Sequence, residues 1–135
     1  MGIPVSELKG ITKQLAAKLK QLGLSDSAKF LEAAKTPAGR IDLATKAGVG
    51  AQAILELANR ADLARIEGVG RVFSDLLESA GVDTVKELAR RDPKNLHARL
   101  AGVNAKHKLS GRLPTPAQAK DWIGQAVKLP KILEY

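Results

Sequence analysis

Apolar residues in this chain recur three and four positions apart, the spacing of one helix face, and no stretch alternates as a strand would. The chain is organised around residues 63–82, L-A-R-I-E-G-V-G-R-V-F-S-D-L-L-E-S-A-G-V. Leu63 and Ile66 predict one face of a short helix. Gly68-Val69-Gly70 predicts a tight turn, because glycine enters positive φ freely and lets the backbone come close to a neighbour. A second helix follows, with Phe73, Leu76 and Leu77 inward, and Ser74 as a small residue where two helices can approach. Gly81 closes it as a C′ glycine.

A shift of 58 positions lays an earlier stretch on this one. It carries Gly10 onto Gly68 and Gly23 onto Gly81. It also carries Val5, Leu8 and Ile11 onto Leu63, Ile66 and Val69, and Leu15, Leu19 and Leu24 onto Phe73, Leu77 and Val82. Ala16 falls on Ser74, which keeps the helix crossing small. A repeat of this length dictates architecture, so the chain reads as two pseudo-equivalent halves, residues 1–60 and 61–135, around a shared core. Residues 5–30 and 63–88 are expected to match as units, with Leu15 and Phe73 both buried.

The remaining elements follow from caps and breakers. Residues 3–8 predict one or two helical turns with Pro4 in the first. Thr12 caps a helix that ends near Leu22. Ser25 starts a short helix carrying Phe30 and Leu31, and Thr36-Pro37 opens one with Ile41, Leu43 and Ala44 that stops at Gly48. Ile54, Leu55 and Leu57 mark the next. Gly48-Val49-Gly50 looks like a third turn, but Lys46 stands where an apolar residue should precede it, so a glycine-terminated joint fits better. Asp83 is expected to cap a helix with Val85 and Leu88, and Asp92-Pro93 to open one with Leu96 and Leu100. Thr115-Pro116 begins the last, with Trp122, Ile123 and Ala126 on its apolar face. Residues 106–112 are ambiguous, and residues 131–135 read as a tail.

The two copies resemble the helix-hairpin-helix motif, a sequence-independent clamp on the nucleic-acid backbone. With Asn59-Arg60-Ala61-Asp62-Leu63, Ala80-Gly81-Val82-Asp83-Thr84-Val85, Asn95-Leu96-His97 and Asp121-Trp122-Ile123, the chain resembles a bacterial family of tandem helix-hairpin-helix proteins catalogued only as a domain of unknown function. The resemblance spans nearly the full chain and implies a fold but no established activity. The expected fold is all-α: two pseudo-repeated helix-hairpin-helix units with additional short helices in one compact domain.

Composition narrows the chemistry. Aromatic residues are 3% of the chain, which favours a core of Leu, Ile, Val and Ala and argues against stacking single-stranded bases on aromatic platforms. No cysteine is present, which excludes disulfides and cysteine-based metal sites. No apolar run suits a signal peptide or a membrane span, so a cytoplasmic protein without membrane contact is expected. The net charge of +8 and pI of about 9.9 favour a polyanionic partner.

The candidate binding residues are Lys9, Gly10, Ile11, Thr12 and Lys13 in the first copy, and Gly68, Val69, Gly70 and Arg71 in the second. In such a turn, N–H groups at the positive end of a helix dipole suit a phosphate oxygen. The charges rank the copies. Residues 5–24 carry Lys9, Lys13, Lys18 and Lys20 against Glu7, a net +3, whereas residues 61–93 come to −2, with Glu67 inside the turn. Residues 94–133 carry eight Lys and Arg against Asp121 alone, a net +7, which offers either an auxiliary phosphate-binding surface or a solvated face.

Catalysis is not expected. Glycosylases that use this hairpin place a lysine two residues after its second glycine, where this chain has Val72. Asp83 is better explained as a cap, and His97 and His107 lack a carboxylate cluster for a metal. No catalytic residue, metal or cofactor is assigned. The expected function is a non-enzymatic, sequence-independent nucleic-acid-binding module, DNA ahead of RNA. The alternative is a protein-interaction or scaffolding module of the same fold, with a protein partner.

Overall fold

A side-chain oxygen at the first residue decides where most helices begin. In the computed structural model, which describes residues 3–8, 10–69, 71–108 and 111–135 and only the backbone of Arg71, the caps are Thr12, Asp26, Thr36, Thr84, Asp92 and Thr115. Each accepts an N–H from two or three residues onward, which satisfies a donor that the helix itself leaves unpaired. They lead α1 (Lys13–Gln21), α2 (Ser27–Ala33), α3 (Pro37–Ala47), α6 (Val85–Ala89), α7 (Pro93–His107) and α8 (Pro116–Lys128). The others are α4 (Ala51–Leu63), α5 (Arg71–Ser79) and a single 3-10 turn at Val5–Glu7. Among the described residues the protein is all-helical, with one isolated bridge, Pro4 to Asp26, in place of any strand.

Two caps fall one residue later than the sequence suggests. Thr84, not Asp83, receives the Glu87 N–H, at 3.2 Å. Asp26, not Ser25, receives the Ala28 N–H, at 2.7 Å. Ser25 is engaged otherwise: its C=O accepts Val5 N–H at 2.9 Å while Ser27 N–H donates to Ile3 C=O at 2.7 Å, so the bridge delays the helix. Pro4 sits just before the 3-10 turn as its N-cap.

The chain divides into two units, Met1–Arg65 with Ile132–Tyr135, and Ile66–Lys131. In unit 1, α2, α3 and α4 pack on one another and α1 packs on α3. The core takes Leu15 and Leu19 from α1, Phe30 and Leu31 from α2, Leu43 and Ala44 from α3, and Ile54, Leu57 and Ala61 from α4. Ile41 faces solvent at 60% exposure despite its apolar side chain. Gly48 ends α3 in the left-handed region, φ +71°, with the N–H groups of Gly48 and Val49 both on Ala44 C=O, which makes this joint a glycine stop rather than a third hairpin.

Residues 132–135 are not a free tail. Leu133 is buried in the unit 1 core. Glu134 N–H donates to Lys35 C=O at 2.7 Å, and Glu134 C=O accepts from Arg40 Nη2 at 2.7 Å. Arg40, itself buried, also donates to Ala34 C=O at 2.9 Å and lies 5.9 Å from the Tyr135 ring. The Tyr135 hydroxyl donates to Asn59 Oδ1 at 3.0 Å. On the neighbouring exposed surface, the hydrogen bond to Glu32, and then that carboxylate's charge, raises the Lys35 pKa.

In unit 2, α6 and α7 pack on α8, and α5 packs on α7. Leu76, Leu77, Leu88, Leu96, Leu100 and Trp122 are fully buried. Phe73 is half-buried rather than buried, its ring 5.3 Å from that of Trp122 and tilted by 51°. Arg99 Nε donates to Ala80 C=O at 2.7 Å and Arg91 Nη2 to Gly81 C=O at 3.2 Å, which satisfies carbonyls at the end of α5. No helix among the described residues is long and apolar enough to cross a membrane.

Candidate nucleic-acid interface

The first turn is built by Gly10, Ile11 and Thr12. Gly10 holds φ +89°, is exposed, and has open space where a Cβ would stand. Ile11 N–H donates to Leu8 C=O at 3.3 Å, closing the turn. Ile11 is half-buried against the unit 1 core. Thr12 then leads α1 with Oγ1 on Leu15 N–H at 3.1 Å and its own C=O on Ala16 N–H at 3.0 Å. A helix start leaves first-turn N–H groups without intrahelical partners, at the positive end of its dipole. Here those are the amides of Lys13 and Gln14, and both residues are exposed.

Lys18 and Lys20 are exposed further along the same helix. A shallow recess of about 200 Å³ lies beside the turn, lined by Ser6, Ile11, Thr12, Lys13 and Ala16. It shares Ser6 and Ala16 with a groove of about 550 Å³ that continues past Ala17 to Lys20 and Asp26. The structure thus brings Gly10, Ile11, Thr12 and Lys13 together. Lys9 lies outside the described residues.

The second turn repeats several of these local features. Gly68 holds φ +93°, and Val69 N–H donates to Ile66 C=O at 3.1 Å. Its surroundings differ. The Gln125 side chain of α8 accepts Glu67 N–H at 2.7 Å and donates to Glu67 C=O at 3.0 Å, while the same amide nitrogen donates to Asp121 Oδ2 at 2.9 Å. A Cβ on Gly68 would stand 3.2 Å from Trp122 Nε1. Val69 is buried. Gly70 and the Arg71 side chain, both candidate contacts, lie outside the described residues. The turn at Gly10 is thus open, whereas the turn at Gly68 is pinned to a neighbouring helix. Nothing in the sequence marks Gln125 for that task, since a glutamine on an amphipathic helix ordinarily faces water.

A family model described as a domain of unknown function (DUF4332) matches residues 9–129. The chain belongs to that family. The matched span takes in both turns and the helices α1 to α8, so the candidate residues from Lys9 to Arg71 lie inside the family's domain. No curated protein and no solved structure matches the chain. Among the described residues, no group of three or more His, Asp or Glu side chains is arranged to hold a metal ion.

Proposed function

We propose that this chain is a non-enzymatic module that grips the backbone of nucleic acid, DNA in preference to RNA, without reading its sequence. In this reading its two turns belong to two pseudo-repeated helix-hairpin-helix units. The repeat is supported by matching local geometry at one offset. Gly10 and Gly68, and Gly23 and Gly81, share positive φ. Leu24 N–H reaches Leu19 C=O at 2.8 Å, as Val82 N–H reaches Leu77 C=O at 2.9 Å. α1 and α5 are both nine residues long.

The observation that carries the functional reading is the exposed turn at residues 10–13, opening a helix that bears Lys13, Lys18 and Lys20, with no acid anywhere in residues 8–25. A phosphate held on backbone N–H groups is positioned without base contact, hence without sequence preference. The second turn contributes less, because Glu67 adds negative charge and its N–H is already taken by Gln125.

That pinning also favours the second reading, a scaffolding module in which the turns serve only as joints. Titrating mixed-sequence duplex DNA at two salt concentrations separates the two. With about four phosphate contacts, log K falls against log salt with a slope of about −3.6. Lys13→Glu is expected to reduce that slope by about one, to weaken all sequences alike, and to do more damage than Arg71→Glu. Absence of binding even at ~50 mM salt leaves scaffolding as the better account.

A further inference from the structure

We infer that unit 2 meets nucleic acid through the C-terminal turn of α7, at Lys106 and Lys108, rather than through its own glycine turn. The inference rests on the proposed backbone-binding function and assigns a second contact surface to it. Charge supplies the first argument. From Pro93 to His107 the helix carries Lys94, Arg99 and Lys106 and no acid, and Lys108 follows as its C-cap. Lys94, Lys106, His107 and Lys108 are all exposed. The glycine turn of the same unit has Glu67 in it and Asp75 and Glu78 on the helix behind it.

Backbone geometry supplies the second argument. Lys108 holds φ +50° and ψ +45°, and among the described residues it is the sole non-glycine with positive φ. The left-handed region crowds Cβ against the carbonyl oxygen, and lysine lacks the short polar side chain that lets Asn or Asp settle there. α3 ends in the same conformation, but with Gly48. A glycine would therefore end α7 with less strain, and the chain carries a lysine instead. Strain retained where a relaxed residue is available points to a task for that side chain. Lys108 N–H donates to Asn104 C=O at 2.7 Å, a backbone bond that a glycine there would make equally well.

A nucleic-acid backbone fits this surface better than a lipid headgroup layer does. A helix that lies on a membrane needs an exposed apolar face. Among the described residues, the exposed large apolar side chains, Leu22, Ile41, Val72, Val127 and Tyr135, include none on α7.

Lys108→Gly is the decisive variant, because stability and binding should move in opposite directions. Thermal melting is expected to rise as the strain is relieved, while affinity for a mixed-sequence DNA duplex falls and its salt slope shrinks by about 0.9. Lys106→Glu combined with Lys108→Glu should shrink the slope by about two. Lys13→Glu, measured beside them, separates this inference from the reading beneath it. If Lys13→Glu weakens binding while Lys108→Gly binds like the parent, the α7 contact is wrong and the backbone-binding function stands. If the parent itself does not bind duplex, both fall. Binding of the parent to vesicles of anionic lipid, lost in Lys108→Gly while duplex binding persists, would also overturn the assignment.

Discussion

Gly68 and Gly10 hold nearly the same backbone angle in different company. At Gly10 a side chain would meet open space, so only the left-handed φ opposes substitution. At Gly68 the same angle is joined by the Trp122 indole nitrogen, 3.2 Å from where a Cβ would stand. Gly10→Ala is therefore expected to cost about 1 kcal/mol, from φ alone, and Gly68→Ala more. Denaturant melts check the order, and Trp122, the single tryptophan, lies in unit 2 and reports the Gly68 variant by its fluorescence. Equal losses would mean that the indole contact is not felt. The sequence made both glycines legible, because a positive-φ turn leaves a compositional mark. Gln125 left none, since its role depends on Glu67 lying beside it across a fold that a local pattern does not encode. Ile41 misleads for the reverse reason: its spacing matches a buried face, yet the neighbouring helices cover Leu43 and Ala44 instead.

Helix starts were legible to within a residue, because Thr-Pro and Asp-Pro pairs combine a cap with a residue that tolerates the first turn. The displaced caps show where local chemistry stops deciding. Asp83 and Thr84 are adjacent and both suited to the role; Thr84 takes it and is itself buried. Thr84→Ala should accordingly lower stability by about 1 kcal/mol, whereas exposed Asp83→Ala should stay within ~0.5 kcal/mol. A larger loss at Asp83 in a thermal melt would reverse the assignment. α1 and α5 are of equal length, with Leu19 and Leu77 both buried. Phe73 did not follow Leu15 inward. Its larger ring remains half-buried beside Trp122, a partner that α8 supplies and that lies far along the chain.

Across the whole chain, residues 132–135 gave the least warning. Five residues after Pro130 are too few to show a period, and the Arg40 to Glu134 bond joins positions 94 apart. Leu133→Ala should open a cavity in unit 1 and destabilise it by about 2–5 kcal/mol, seen as faster hydrogen exchange at the amides of α2 and α3. Unchanged exchange would mean that the segment lies on unit 1 without holding it. The docking also bears on the order in which the protein is made. Translation usually lets the N-terminal part fold first. If Leu133 holds unit 1 as that variant tests, the helices of unit 1 emerge early but wait, with Arg40 short of an acceptor and a vacant slot for Leu133, until the ribosome has finished all of Ile66–Lys131. Unit 2 is continuous in sequence and has no such wait. The half synthesised second is therefore free to be completed first.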